Sequence, residues 1–345
     1  MLRRYRPLFL ALSVAILLLL AYTAFWATAA GRLRTALATA PEQALAGQGV
    51  VLALGDPVVE GFPLHLTVRL AGMRAQWPSG TVVESGPLEL TAWAWAPSDI
   101  KLAGKGPVRL DLAGSSRHAP VAGQAAGLTG ALMLGTGGQI RSATLMLEQP
   151  HTAAAGDLGP LAAAAATVTW TAPLRAPAGP TDPQGRTSLL ILGLDLPGAV
   201  PAPLGRRVDQ IALSFEPRGP LPAGPGAAGL AAWRDGGGTL EILALRLLWS
   251  GIDMRMEGTL ALDRTLQPEG AGTAELSGSD ALVDMMVRNG SLEAGQGDAV
   301  KAALGMMARR TVDGRHAVAV PVSLQESKLF IGPIPVATVP PLSWD

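Results

Sequence analysis

Few residues in this chain have the types and spacing that chemistry requires. Gly224, Gly226 and Gly229 satisfy the G-x-G-x-x-G spacing with which a backbone can cradle a pyrophosphate. A proline-rich loop precedes them where a strand is needed, so the dinucleotide reading lacks its context. Ser98 and Lys101 stand at the S-x-x-K spacing of a nucleophilic serine and its lysine, but the companion motifs are missing and Pro97 points to a turn into a strand. His65, His118, His151 and His316 are isolated and the chain has no cysteine, so a transition-metal site would need carboxylates converging from distant segments. Asp56, Glu60 and Asp99 are candidates for that role or for acid–base work, against a simpler reading as solvated turn residues. No catalytic residue, metal ligand or cofactor is assigned, and the chain reads as a non-enzyme.

Composition bounds the rest. The 345 residues are 48% hydrophobic, enough for one large domain or two smaller ones with real cores. The 27 basic residues balance the 27 acidic ones, leaving no long-range field to attract nucleic acid. The absence of cysteine removes disulfides, thiolate nucleophiles and iron–sulfur clusters together.

From Leu8 to Ala30 no residue carries a charge. At about 1.5 Å per residue such a run spans a hydrocarbon core of about 30 Å, which predicts a transmembrane helix. Arg3, Arg4 and Arg6 precede it and place residues 1–7 in the cytoplasm by the positive-inside rule, although Arg32 and Arg34 reduce the asymmetry. Tyr22, Phe25 and Trp26 fall near the outer end, where amphipathic rings favour the membrane–water interface. The competing reading is a cleaved signal peptide, because Ala27-Thr28-Ala29 imitates a cleavage site.

The elements that follow are strands. Leu64, Leu66, Val68 and Leu70 alternate with His65, Thr67 and Arg69, and Val108, Leu110 and Leu112 with Arg109 and Asp111, the period of a half-buried strand. Similar runs at 86–95, 128–134, 140–148, 208–216, 252–262, 316–325 and 328–332 are divided by turn residues. Thr187–Leu196 and Leu240–Trp249 are apolar at almost every position, which predicts central strands covered on both faces, or strands with one face lining a greasy groove. Gly-Pro before a branched apolar residue recurs at Gly86, Gly106, Gly159, Gly219 and Gly332 and opens a segment each time, since proline suits the first residue of a strand. Pro/Gly-rich stretches at 172–182 and 217–229 read as loops or sub-domain boundaries, and the second is the better boundary, between 31–225 and 226–345, continuous with one another.

Two helices are predicted near the C-terminus. Ser279 caps the first, running to about Asn289, and Asp298 caps the second, with Arg309 and Arg310 complementing its dipole. Met285, Met286, Met306 and Met307 cluster on them, as core packing or as adaptable contacts to lipid. In Gly61-Phe62-Pro63, glycine lets the chain turn, phenylalanine buries its ring and proline starts the strand to Leu70. Trp93 and Trp95 share one face of a strand and either stack into the core or face a bilayer or ligand.

These residues carry a resemblance. The anchor, Val59-Glu60-Gly61-Phe62-Pro63-Leu64, Trp93-Ala94-Trp95-Ala96-Pro97, Gly332-Pro333-Ile334-Pro335-Val336 and Pro340-Pro341-Leu342-Ser343-Trp344 resemble an uncharacterised alphaproteobacterial family, domain of unknown function 2125. That resemblance implies a location in the envelope and carries no established activity with it. More distantly, the anchor and strands such as Gly258-Thr259-Leu260-Ala261-Leu262-Asp263 are similar to AsmA-like envelope proteins, which implies an elongated β groove for lipids.

The expectation is an α+β protein, predominantly antiparallel β as an elongated curved sheet or half-barrel, with two C-terminal helices after one N-terminal transmembrane helix. Its expected place is the bacterial inner membrane with a periplasmic body. Its expected work is non-catalytic lipid binding or envelope assembly, with phospholipid or envelope proteins as partners. The alternatives are a scaffold for other envelope proteins and an unrecognised hydrolase.

Overall fold

The computed structural model describes residues 17, 20–28, 30–31, 50–113, 120–153, 159–179, 181–198, 204–219, 226–288, 293–310, 316–342 and 344. Residues 20–28 are helical (α1). No helix among the described residues is long and apolar enough to cross a membrane, and most of the run that begins at Leu8 lies outside them.

Alternating sequence becomes antiparallel sheet throughout. The chain forms Val51–Leu54 (β1), Val58–Glu60 (β2), His65–Leu70 (β3), Met73–Gln76 (β4), Val82–Ser85 (β5), Leu88–Trp93 (β6), Ala96–Gly104 (β7), Val108–Leu112 (β8), Val121–Ala125 (β9), Gly127–Leu134 (β10), Ile140–Glu148 (β11) and His151–Thr152 (β12). It continues through Ala165–Thr171 (β13), Arg186–Asp195 (β14), Arg207–Arg218 (β15), Ala227–Asp235 (α2), Thr239–Trp249 (β16), Ile252–Leu262 (β17) and Pro268–Ser277 (β18). Ser279–Arg288 (α3), Ala294–Met307 (α4), Arg309–Arg310 (β19), His316–Gln325 (β20), Lys328–Ile331 (β21) and Ile334–Thr338 (β22) complete it.

Six strands form one sheet in the order β1-β4-β5-β8-β9-β12. The other sixteen form a second, β2-β3-β6-β7-β10-β11-β13-β14-β15-β16-β17-β18-β20-β21-β22, with β19 beside β20. This large sheet is open: β2 stands at one edge and β22 at the other. It runs through the sub-domain boundary read from the sequence, since Gln210–Arg218 of β15 pairs with Leu248–Thr239 of β16.

Between β1 and β12 the chain passes repeatedly from one sheet to the other, and the Gly-Pro dipeptides mark two of the corners. β5 passes into β6 through Gly86-Pro87 and β7 into β8 through Lys105-Gly106-Pro107. Proline has no N–H for the ladder, so pairing breaks there and the chain leaves the sheet. The two corners lie side by side: Lys105 N–H donates to the Pro87 carbonyl at 2.7 Å and Gly86 N–H to that of Pro107 at 3.2 Å.

The inner faces of the two sheets pack at this folded end. Val59, Val68, Leu70, Leu88 and Leu128 of the large sheet cluster with Val108 and Ala125 of the small one, and Ala30 beyond α1 closes the cluster beside β2. Here α1 is part of the fold: Trp26 Nε1 donates to the His65 carbonyl at 3.1 Å, and the Tyr22 hydroxyl donates to that of Pro63.

Several expectations are corrected. α4 starts before Asp298, with Glu293 at its N-cap, whose N–H donates to Gln296 Oε1 at 3.1 Å in a capping box. Arg309 and Arg310 fall outside the last turn of α4, because the chain turns extended at Ala308 and their backbone pairs with Ala317 and His316. α2 was not expected; its Trp233 Nε1 donates to the Arg218 carbonyl at 2.9 Å, which holds it against the end of β15. β14 and β16 are not covered on both faces: Gly193 and Ile242 are their buried residues, and Leu192 is 38% exposed.

Candidate functional site

The residues placed directly opposite one another in the large sheet form an unbroken apolar row. Val59 pairs with Val68, Val68 with Leu90, Leu90 with Leu102, Leu102 with Gly130 and Gly130 with Leu145. The row continues through Val168, Leu189, Leu213, Leu245, Met256 and Ala274 to Val320 of β20. Two residues further along the strands a parallel row contains Leu147, Ala166, Ile191, Ile211, Leu247, Met254, Leu276 and Val318. Side chains alternate faces along a strand, so both rows lie on one face, the face that Val59, Val68 and Leu128 turn into the folded-over core.

The opposite face is polar at the same level. Thr67, Thr91, Lys101, Ala131, Thr144, Thr169, Ser188 and Ser214 succeed one another there. The Thr144 and Thr169 hydroxyls lie 3.2 Å apart, Ser188 donates to Ser214 at 3.1 Å, and Arg186 reaches Glu216 at 2.9 Å. Further along, Asp253 is buried and accepts from Arg246 Nε at 3.0 Å and Nη2 at 2.9 Å.

The apolar face is covered at both ends and open between. At the β20 end Ala274, Val318 and Val322 are buried, α3 approaches β17, and α4 approaches β20. In the middle Leu145 is 47% and Val168 43% exposed, while Leu189, Leu213 and Leu245 are half-buried. Where β8, β9 and β12 overhang β11, β13 and β14 there is a cavity of about 220 Å³. Val108, Leu110 and Ala125 line it from the small sheet, Leu147, Ala166 and Ile191 from the large one.

Among the described residues the acid–base candidates do not converge. Ser98 and Lys101 lie three residues apart on β7 and therefore point to opposite faces. His65 stacks its ring 4.1 Å from that of Trp93, and the His151 Nδ1 is 3.1 Å from the Gln149 carbonyl oxygen. His118 and Gly224 lie outside the described residues, Gly226 is the N-cap residue of α2, and Gly229 lies within that helix. Asp56 and Asp99 are exposed, and Glu60 pairs with Arg69 at 2.8 Å. Among the described residues no three His, Asp or Glu side chains gather as metal ligands. A recess of about 780 Å³ lies under the 172–183 loop, but Asp182 there accepts from the N–H groups of Ala178 and Gly179, which hold its carboxyl below the usual range. That carboxylate holds the loop together.

The aromatic and methionine candidates separate. Trp93 ends β6 and Trp95 lies in the two-residue turn after it, so they do not share a strand face. They are 41% and 66% exposed, not packed in the core, and stack at 4.7 Å. In Gly61-Phe62-Pro63, Gly61 has φ +102° and the strand starts at His65. Phe62 is 47% exposed, which corrects its expected burial. Met285 and Met286 lie on α3, and Met306 and Met307 on α4; Met306 is 84% exposed, and the other three side chains lie outside the described residues.

No curated protein and no solved structure matches the chain. A family pattern does: it extends over residues 26–340, from Trp26, which ties α1 to the first hairpin, to the proline-rich tail that follows β22. With nearly its whole length matched, the chain belongs to the family described as an uncharacterized protein conserved in bacteria, domain of unknown function 2125.

Proposed function

We propose that this protein is a non-catalytic lipid-binding factor of the bacterial envelope, held in the inner membrane by the apolar run that begins at Leu8, with its sheet curved as a periplasmic trough for phospholipid acyl chains. The observation that carries this reading is the apolar row from Val59 to Val320, open at Leu145 and Val168 and backed by hydroxyls and ion pairs. A sheet meant only to bury a core would be covered along its length. Acyl chains supply the missing cover. Each methylene removed from water contributes about 0.8 kcal/mol, so roughly ten of them offset the several kcal/mol lost on association. Lipid tails are as apolar as leucine, so transfer from bilayer to trough is close to neutral, which favours exchange over trapping.

The test is photo-crosslinking in cells fed a diazirine fatty acid, followed by peptide mapping of the full chain. Acyl adducts on the inner-face peptides of β11, β13, β14 and β15 are the expected result. Adducts confined to residues 8–30 defeat the trough and turn attention to a scaffold that binds envelope proteins through the same apolar face.

A further inference from the structure

The turns of the large sheet gather into two rims. The β2–β3, β6–β7, β10–β11 and β13–β14 turns lie at one rim, and the β16–β17 turn lies at the other together with the chain leaving β18 into α3 and α4. Large apolar side chains stand exposed at the first rim, turn after turn: Phe62, Leu64, Trp93, Trp95, Met133 and Leu174, the last 92% exposed. Neighbouring strands are about 4.8 Å apart, so these turns follow one another over roughly 30 Å. Single exposed apolar residues need no explanation, but a contiguous series does.

The same rim receives the N-terminal helix. Tyr22 donates to the Pro63 carbonyl and Trp26 to that of His65, and the Phe62 ring lies 5.5 Å from Trp26 and 6.4 Å from Tyr22. Beside them the His65 ring lies against Trp93 at a tilt, and Trp93 stacks on Trp95. On the helix itself Leu20 and Phe25 are more than half exposed, as is Leu17 before it. The sequence before it is the uncharged apolar stretch from Leu8. The exposed rim therefore begins where the apolar stretch joins the body, and that continuity selects the bilayer as its occupant.

The geometry points to this rim as a collar that docks on the membrane surface, with Trp93, Trp95, Phe62 and Leu174 in the headgroup region around the exit of α1. Indole and phenol rings favour that layer, where one side of the ring is apolar and the other wet. The collar stands the body on its rim, so that the strands, and the open apolar face they carry, run up from the bilayer surface. The inference rests on the anchored, lipid-holding reading above and adds the orientation of the trough to it.

The absence of cysteine makes the test direct, because any cysteine introduced is the sole labelling site. The full chain, reconstituted in phosphatidylethanolamine–phosphatidylglycerol vesicles, carries an environment-sensitive fluorophore at Trp95→Cys, Leu174→Cys or Met306→Cys. Met306 is 84% exposed and lies on α4, which follows the other rim. Labels at 95 and 174 are expected to shift to the blue, to be quenched by phospholipids bearing a shallow nitroxide, and to lose quenching by aqueous iodide. The label at 306 is expected to keep its iodide quenching. Equal iodide quenching at all three positions overturns the collar. Protection of 95 and 174 from iodide without quenching by the nitroxide phospholipids also overturns it, because the cover is then protein. Positions 95 and 174 lie in different turns, so one distorted turn cannot produce the result. Acyl adducts mapped on the same preparation report the trough separately: adducts on the inner face with labels in water defeat the collar alone.

Discussion

At the scale of single residues, the polar side chains of this protein hold turns and rims. Asp263 closes the turn between β17 and β18, accepting from the N–H groups of Thr265 and Gln267 at 2.7 and 2.8 Å and from the Thr265 hydroxyl at 2.7 Å. Burial works against its charge, but these donors, with the Arg234 guanidinium, outweigh it and hold the carboxyl below the ordinary aspartate value. A depressed folded-state pKa adds stability that is present above the unfolded value of about 3.9 and is lost as pH falls through the folded value. Asp263→Ala is therefore expected to cost about 1–2 kcal/mol at pH 7 in urea denaturation, with the gap from the unsubstituted protein narrowing below about pH 4. A gap that stays constant from pH 7 to pH 3 would remove the charge from the explanation. Trp93 and Trp95 belong to this scale too: WAWA reads equally well as a strand or a turn, and only the placement of Ala94-Trp95 in the turn exposes both rings.

Among the elements, glycine sets how closely strands can approach. Gly272 faces Gly258 across β17 and β18, and a Cβ at Gly272 would lie 2.2 Å from the Glu257 carbonyl oxygen. Backbone atoms of a paired strand cannot yield, so Gly272→Ala is expected to destabilise the fold by about 1–3 kcal/mol, read as a lowered urea midpoint. Gly305 in α4 has nothing within 4 Å of its added Cβ. There alanine relieves the entropy cost of glycine in a helix, and Gly305→Ala is expected to raise stability by about 0.5–1 kcal/mol. Equal effects of the two substitutions would mean that intrinsic propensity, not strand approach, governs both. Helix ends were harder to read than helix bodies. α3 spans Ser279–Arg288, close to the range its spacing predicts, whereas the Glu293–Gln296 box starts α4 in a stretch of small residues with little periodicity.

For the whole molecule, function depends on which face each strand turns inward. Leu213 lies on the apolar face and its neighbour Ser214 on the hydroxyl face. Leu213→Glu is expected to abolish acyl adducts on β14 and β15, while Ser214→Glu leaves them in place, both proteins being checked for folding by circular dichroism. Loss of adducts in both variants, with folding intact, would contradict a one-faced trough.

Sequence by itself determined the antiparallel class and many of the strands, β3, β8, β10 and β11 among them, because period-two alternation and turn residues act locally, whereas β4, β9, β13 and β18 were not read from it. Gly86-Pro87 and Gly106-Pro107 likewise marked positions suited to the start of a strand, since proline lacks the ladder donor. Tertiary structure alone decided that those positions are corners between two sheets, and that the sheet stays open. Thr187–Leu196 shows why: Leu189 and Ile191 are no more apolar than Leu190 and Leu192, so composition cannot assign their faces. Register can, by placing Leu189 between Val168 and Leu213 and Leu190 between Thr167 and Ala212. Register is a property of paired strands far apart in sequence, set by the packing of the whole sheet, and no local pattern within an all-apolar strand contains it.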